Sequence, residues 1–211
     1  MTNATLVAVP LFIFMGVILE KSKVAELLLN SMSKLFSKYK SGLGISILFV
    51  GALLAASTGI VGATVIAMGL ISLPAMLQRG YSEKISTGLI AATGTLGQII
   101  PPSIALVILG DVLATAYQQS QLKIGNYVAK SLSVGDLFMA AIVPGLILVI
   151  IYGLYFIFNL RKEDIISTND SREESFIKLI STLAPPFFLI FAVLGSIIFG
   201  VASPTEAAGI G

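Results

Sequence analysis

Two stretches of this chain gather hydroxyls, glycines and prolines where a helix cannot run through comfortably. The first is Ser57-Thr58-Gly59-Ile60-Val61-Gly62-Ala63-Thr64, and the second is Gly94-Thr95-Leu96-Gly97-Gln98-Ile99-Ile100-Pro101-Pro102-Ser103. Held as continuous helix, the second would cost roughly 8 kcal/mol against alanine, from two interior prolines at about 3 kcal/mol each and two glycines at about 1 each. A half-helix ending at Gly94, an extended loop, and a second half-helix with Pro102 near its first position is cheaper, because a missing N–H does no harm there. Broken backbone leaves carbonyls and amides free, and a hard cation such as sodium takes oxygen ligands by the same logic as calcium. The carbonyls of Ser57, Gly59, Gly94 and Gly97 and the hydroxyls of Ser57, Thr58, Thr64 and Thr95 are the oxygens on offer. With Gly62, Pro101, Pro102 and Ser103 they form the candidate solute- and sodium-binding set, and Ser57, Gly59, Gly94 and Thr95 are the expected sodium ligands. An isolated hydroxyl such as Ser72 or Ser196 is expected only to bond the preceding helical turn.

Catalysis finds no footing. The chain has no GxSxG, Walker or HExxH motif, and no histidine or cysteine. The Asp and Glu residues are read as lying in loops or at the ends of apolar runs, so general acid-base chemistry is expected to find no candidates within those runs. The same lack removes a proton relay, and sodium coupling is expected instead. No cofactor is expected beyond that coupling ion. A net charge of +2 spread over short loops gives no reason to expect nucleic acid as a partner.

The elements that carry these stretches belong to a membrane. Of 211 residues 56% are hydrophobic and 11% charged, against about 25% charged in soluble domains. An all-α polytopic membrane protein is therefore expected. Residues 3–19 form a short first span containing Pro10. Residues 24–39 carry Val24, Leu27, Leu28, Met32, Leu35, Phe36 and Tyr39 at helical spacing opposite Ser33, Lys34, Ser37 and Lys38, which predicts an amphipathic helix, either a connector or an interfacial brace.

Residues 42–77 contain no charge, are too long for one span, and break at the first hydroxyl cluster. Each arm is then about 15 residues, or roughly 22 Å, against a hydrocarbon core of about 30 Å. A re-entrant hairpin is expected, and two complete tight spans, which would share its parity, are set aside on arm length alone. Basic residues support a return to the starting side: loops 20–41, 78–84 and 161–178 then hold 5, 2 and 4 of them on one side, against 2 in 117–135. A single crossing would give seven against six, which is no bias. The biased loops are thereby assigned to the cytoplasm. Ser82 is the expected cap of a half-helix running to Thr93, and the second half-helix is expected over 102–117. A polar extracytoplasmic loop follows to Val134, then a full span over 136–160, a charged linker, and another span over 176–201. Ser203 or Thr205 is the expected cap of a further helix with Glu206 in its first turn. The chain stops there, and a fragment is expected.

Five motifs in order, Pro10-Leu11-Phe12-Ile13-Phe14-Met15-Gly16, Ser57-Thr58-Gly59, Gly94 to Ser103, Gly135-Asp136-Leu137-Phe138 and Ser203-Pro204-Thr205-Glu206-Ala207-Ala208, resemble the large membrane subunit of tripartite ATP-independent periplasmic (TRAP) transporters, the DctM-like permeases. The tip Ser57 to Ala63 and Tyr117-Gln118-Gln119 resemble its mannitol/chloroaromatic branch. The resemblance implies the first half of an inverted-repeat elevator transporter in a bacterial or archaeal inner membrane. It implies import of an organic acid anion with sodium, assisted by a small membrane subunit and a periplasmic solute-binding protein. It divides the chain into a scaffold span and interfacial helix (1–41), a re-entrant hairpin (42–84) and a broken helix (85–117) of the transport domain. An extracytoplasmic loop and scaffold span (118–160), a cytoplasmic linker (161–175), and a scaffold span with the start of a second repeat (176–211) follow. A divalent-anion/sodium symporter without a binding protein and a non-transporting membrane scaffold are the alternatives.

Overall fold

The computed structural model describes residues 4–22, 24–36, 39–125, 131–160 and 176–210. The expected cytoplasmic linker over 161–175 lies outside them, as do residues 126–130 of the expected extracytoplasmic loop and the side chains of Ser57 and Thr58. Regular structure among the described residues is helical throughout: α1 (Ala4–Lys21), α2 (Val24–Leu35), α3 (Gly42–Thr58), α4 (Val61–Gln78), α5 (Glu83–Thr95), a 3-10 turn (Leu96–Gln98), α6 (Ile104–Lys123), α7 (Val134–Leu160), α8 (Phe176–Ile198) and α9 (Pro204–Ile210).

Helices α3, α4 and α5 pack on one another around Ile47, Leu54, Met68, Leu89 and Ile90. Helix α7 lies antiparallel along α3 and α5. Phe156 near its end fills the space above Gly44 at the start of α3 and stacks on Tyr81, ring centroids 6.0 Å apart, just before α5. Gly145 near its middle faces Ile100 in the loop after α5. A second core joins α1, α6, the start of α7, the end of α8 and α9 through Phe12, Val107, Phe138 and Ile197.

By length and composition α4 and α7 among the described helices can cross a membrane. Helix α7 exposes Val143, Leu146, Ile147, Ile150, Leu154 and Phe158, and α8 exposes Phe188 and Phe191. Apolar faces of this size are shed by soluble monomers and are the natural surface of a span in lipid.

Several boundaries differ from the sequence expectation. The hairpin arms have 17 and 18 residues and run about 26 and 27 Å, longer than expected from the sequence. Their length therefore falls only a little short of a bilayer core. Helix α6 carries Asp111 in its interior, so the expectation that every acid lies in a loop or at the end of a run fails there, and it does not stop at Tyr117. Gln118 to Lys123 are good helix formers, and no glycine intervenes before Gly125, whose φ of 76° ends the run. Helix α2 buries Ala25, Leu28, Leu29 and Met32, with Ser31 and Ser33, and leaves Leu27 and Leu35 exposed. The apolar stripe was wide enough for two orientations, and packing on α3 and α8 selected the one centred on Leu28.

The caps follow sequence rules. Ser82 Oγ accepts from Ile85 N at 3.4 Å. Ser203, not Thr205, caps α9: its Oγ accepts from Glu206 N at 3.3 Å, and Glu206 Oε2 accepts from Ser203 N at 2.8 Å. Ser133 and Asp136 make the same reciprocal box at the head of α7.

Candidate functional site: a hairpin tip tied to a helix break

The two interruptions meet. Helix α3 ends at Thr58 because Gly59 turns into the left-handed region, φ 60°, which a side chain would resist. Ile60 is extended, and α4 starts at Val61. Helix α5 runs to Thr95, one residue past the expected stop at Gly94, and tightens into the 3-10 turn. The Pro101–Pro102 peptide is cis, and both prolines stay in the loop. Pro102 is thus not a first helical residue. Ser103 caps α6 instead, its Oγ accepting from Leu106 N at 3.3 Å and donating to Gln98 O at 2.8 Å.

Gln98 joins the halves. Its Nε2 donates to the carbonyl of Gly59 at the hairpin tip, and its Oε1 accepts from Ala105 N, 3.2 Å away, in the first turn of α6. Close backbone contact reinforces the tie. A Cβ at Gly97 would lie 2.7 Å from the Ala55 carbonyl oxygen, so only glycine lets the 3-10 turn approach the last turn of α3. One at Gly94 would lie 2.2 Å from Val65 Cγ2, which presses α5 onto α4. Ile104 reaches the tip, 3.2 Å from where a Gly59 Cβ would be.

The remaining predicted residues sort by exposure. Thr64 is buried and donates to Ile60 O at 3.0 Å. Thr95 is exposed and donates to Ala92 O at 2.6 Å, leaving its oxygen lone pairs outward. Gly62 is exposed, with open space where a Cβ would go. Ser57 and Thr58 supply the last backbone positions of α3. Gln98, Ser103 and the carbonyls of Gly59 and Gln98 therefore form one bonded cluster, flanked by Thr64, Thr95 and Gly62. No titratable side chain stands among these residues, so what the site offers is carbonyl and hydroxyl oxygen and the amide ends of half-helices.

Sequence reasoning quoted Gln98 without giving it a role. A polar side chain inside an apolar broken stretch was the available signal, since a buried amide needs partners. The isolated hydroxyls divide. Ser196 bonds the preceding turn, to Val193 O at 2.8 Å, as expected. Ser72 does not: it is fully buried, its Oγ lacks a partner, and Ser86 is in the same state. Both lie on helices of the tight α4–α5 contact, where the side chain's direction is set by packing.

The loop sits at a definite height. Ile100 Cγ1 would be 3.0 Å from a Cβ at Gly145, near the middle of the 27-residue α7. A notch without a side chain halfway along an apolar helix of about 40 Å thus receives the break.

Comparisons with known proteins place the chain in a family. The family model described as "Tripartite ATP-independent periplasmic transporter, DctM component" matches residues 1–211. The C4-dicarboxylate TRAP transporter large permease protein DctM of Rhodobacter capsulatus is 34% identical over 205 residues, 97% of this chain and 46% of that protein. The ectoine TRAP transporter large permease protein TeaC of Halomonas elongata is 32% identical over 97% of this chain and 44% of its own length. The sialic acid TRAP transporter large permease protein SiaM of Vibrio cholerae is 28% identical over 99% and 45%. The chain spans a little under half the length of these relatives, which are transport proteins and not enzymes. A match along its whole length makes this chain a member of the DctM family, the large permease component of TRAP transporters.

Proposed function

We propose that this chain is the solute- and sodium-binding first half of a TRAP permease that imports an organic acid anion across the inner membrane. One observation carries the reading: Gln98 ties the hairpin tip to the helix break at the mid-height of α7. Carbonyl and hydroxyl oxygens gathered at that depth are the construction by which transporters hold ions and anionic solutes. Backbone that is irregular there is tolerated only beside protein or a water-filled cavity. The hairpin α3–α4 re-enters and returns, while α3 to α6 move together against α1, α2, α7 and α8. A second repeat completes the site. A small membrane subunit and a periplasmic solute-binding protein are the partners. Relatives of nearly equal identity carry C4-dicarboxylate, ectoine and sialic acid in their names, so solute choice is set largely outside this half.

The test is sodium-driven uptake by the intact permease reconstituted with its binding protein. Thr95→Val removes an exposed oxygen while leaving α5 folded, and it is expected to raise the sodium concentration for half-maximal uptake severalfold. Unchanged sodium dependence removes Thr95 from the site, and uptake indifferent to sodium overturns the coupling.

A further inference from the structure

We propose that the groove between α5 and α7 is a binding site for one anionic phospholipid. It encloses about 710 Å³, within the roughly 300–1,000 Å³ of ligand pockets. Its lining is graded from end to end. Ser82, Lys84, Tyr155 and Asn159 stand where α5 begins and α7 ends, an end fixed by the stacking of Tyr81 on Phe156. Gly88 and Ile151 form the walls a turn or so deeper. Polar groups at the end of a span and apolar walls toward its middle match an amphiphile, headgroup outward.

Charge selects the headgroup. The Lys84 ammonium makes no ion pair among the described residues, and Glu83 beside it in sequence does not line the groove. A phosphate at that height meets a lysine, the Ser82 hydroxyl and a tyrosine at the level where tyrosine gathers in membranes. Ile150 and Leu154, each next in sequence to the lining residues Ile151 and Tyr155, are exposed apolar side chains, so the groove is flanked by the surface α7 offers to lipid. Space for a chain exists at Gly88, where a Cβ would meet nothing within 4 Å. The proposal rests on the membrane placement of α7 and is independent of sodium and of transport.

Native mass spectrometry of the intact permease in detergent, titrated with equal amounts of dioleoyl-phosphatidylglycerol and dioleoyl-phosphatidylcholine, tests it. The wild type is expected to retain one phosphatidylglycerol with a preference of about fivefold, the effect of one lysine near an anionic headgroup. Lys84→Gln, exposed and harmless to folding, is expected to bring that preference to about one. Gly88→Leu fills the groove and is expected to lower retention of both lipids, and Ala92→Leu on the same wall gives an independent reading. Equal retention of both lipids by the wild type overturns the proposal. So does a preference that survives Lys84→Gln, or retention untouched by both filling variants.

Discussion

Gln98 spends both ends of its carboxamide on backbone, one in the hairpin tip and one in α6. Hydrogen bonds between membrane helices average about 0.6 kcal/mol, and a buried partner left unsatisfied costs about 1–3 kcal/mol. Gln98→Ala is therefore expected to lower stability by about 1–3 kcal/mol and to make the tip at Gly59 cleavable by protease. Unfolding midpoints in detergent and limited proteolysis read the two effects, and a tip that stays resistant would show that packing alone holds it. Glycines of the two motifs separate in the same way. Gly97→Val drives a side chain into the Ala55 carbonyl, which is backbone and cannot yield, so a loss of at least about 1–3 kcal/mol is expected. Gly62→Ala enters open space in a helix, with no loss and a gain of up to about 1 kcal/mol. Equal thermal shifts for the two would contradict the close approach of the 3-10 turn to α3.

Among elements, the decisive fit is the helix break against the notch of α7. The sequence shows a proline and a glycine at 144–145 inside the span, but not that Gly145 receives Ile100, because nothing local to either residue names its partner. Gly145→Val is expected to cost about 1–3 kcal/mol by pushing Ile100 aside. Pairing it with Ile100→Ala should recover about 0.5 kcal/mol or more, the coupling of residues in contact. Strict additivity in that double-mutant cycle would place the two apart. Element types were readable throughout, from apolar runs, caps at Ser82 and Ser203, and breakers at Gly59 and Pro101-Pro102. Their ends were less so: the polar tail of α6 reads as loop by hydropathy, yet propensity carries it to Lys123.

For the whole molecule, the charge bias predicts one side of the membrane for the loops around Lys40 and Arg79 and the other side for Ser120. These 211 residues hold no cysteine, which suits them to single-cysteine variants and a membrane-impermeant thiol reagent. Lys40→Cys and Arg79→Cys are expected to label from the cytoplasmic face only, Ser120→Cys from the opposite face only, and Gly62→Cys slowly from either. Gly62→Cys reacting as fast as Ser120→Cys would make α3 and α4, about 26 and 27 Å long, two complete spans. Labelling of Lys40→Cys and Arg79→Cys from opposite faces would overturn the hairpin outright.

Composition, hydropathy and breakers determined the helical membrane character and the position of both interruptions, because these depend on each residue's own cost of transfer and of helix formation, while the family was carried by the order of the five motifs. Which oxygens are engaged and which remain open was decided only by tertiary structure. The Gly59 carbonyl is taken by Gln98, 39 residues away, and the Gly97 approach to Ala55 exists only once α5 docks on α3. Pairings across such distances are selected by the shape of the packed helices, and no local propensity encodes them.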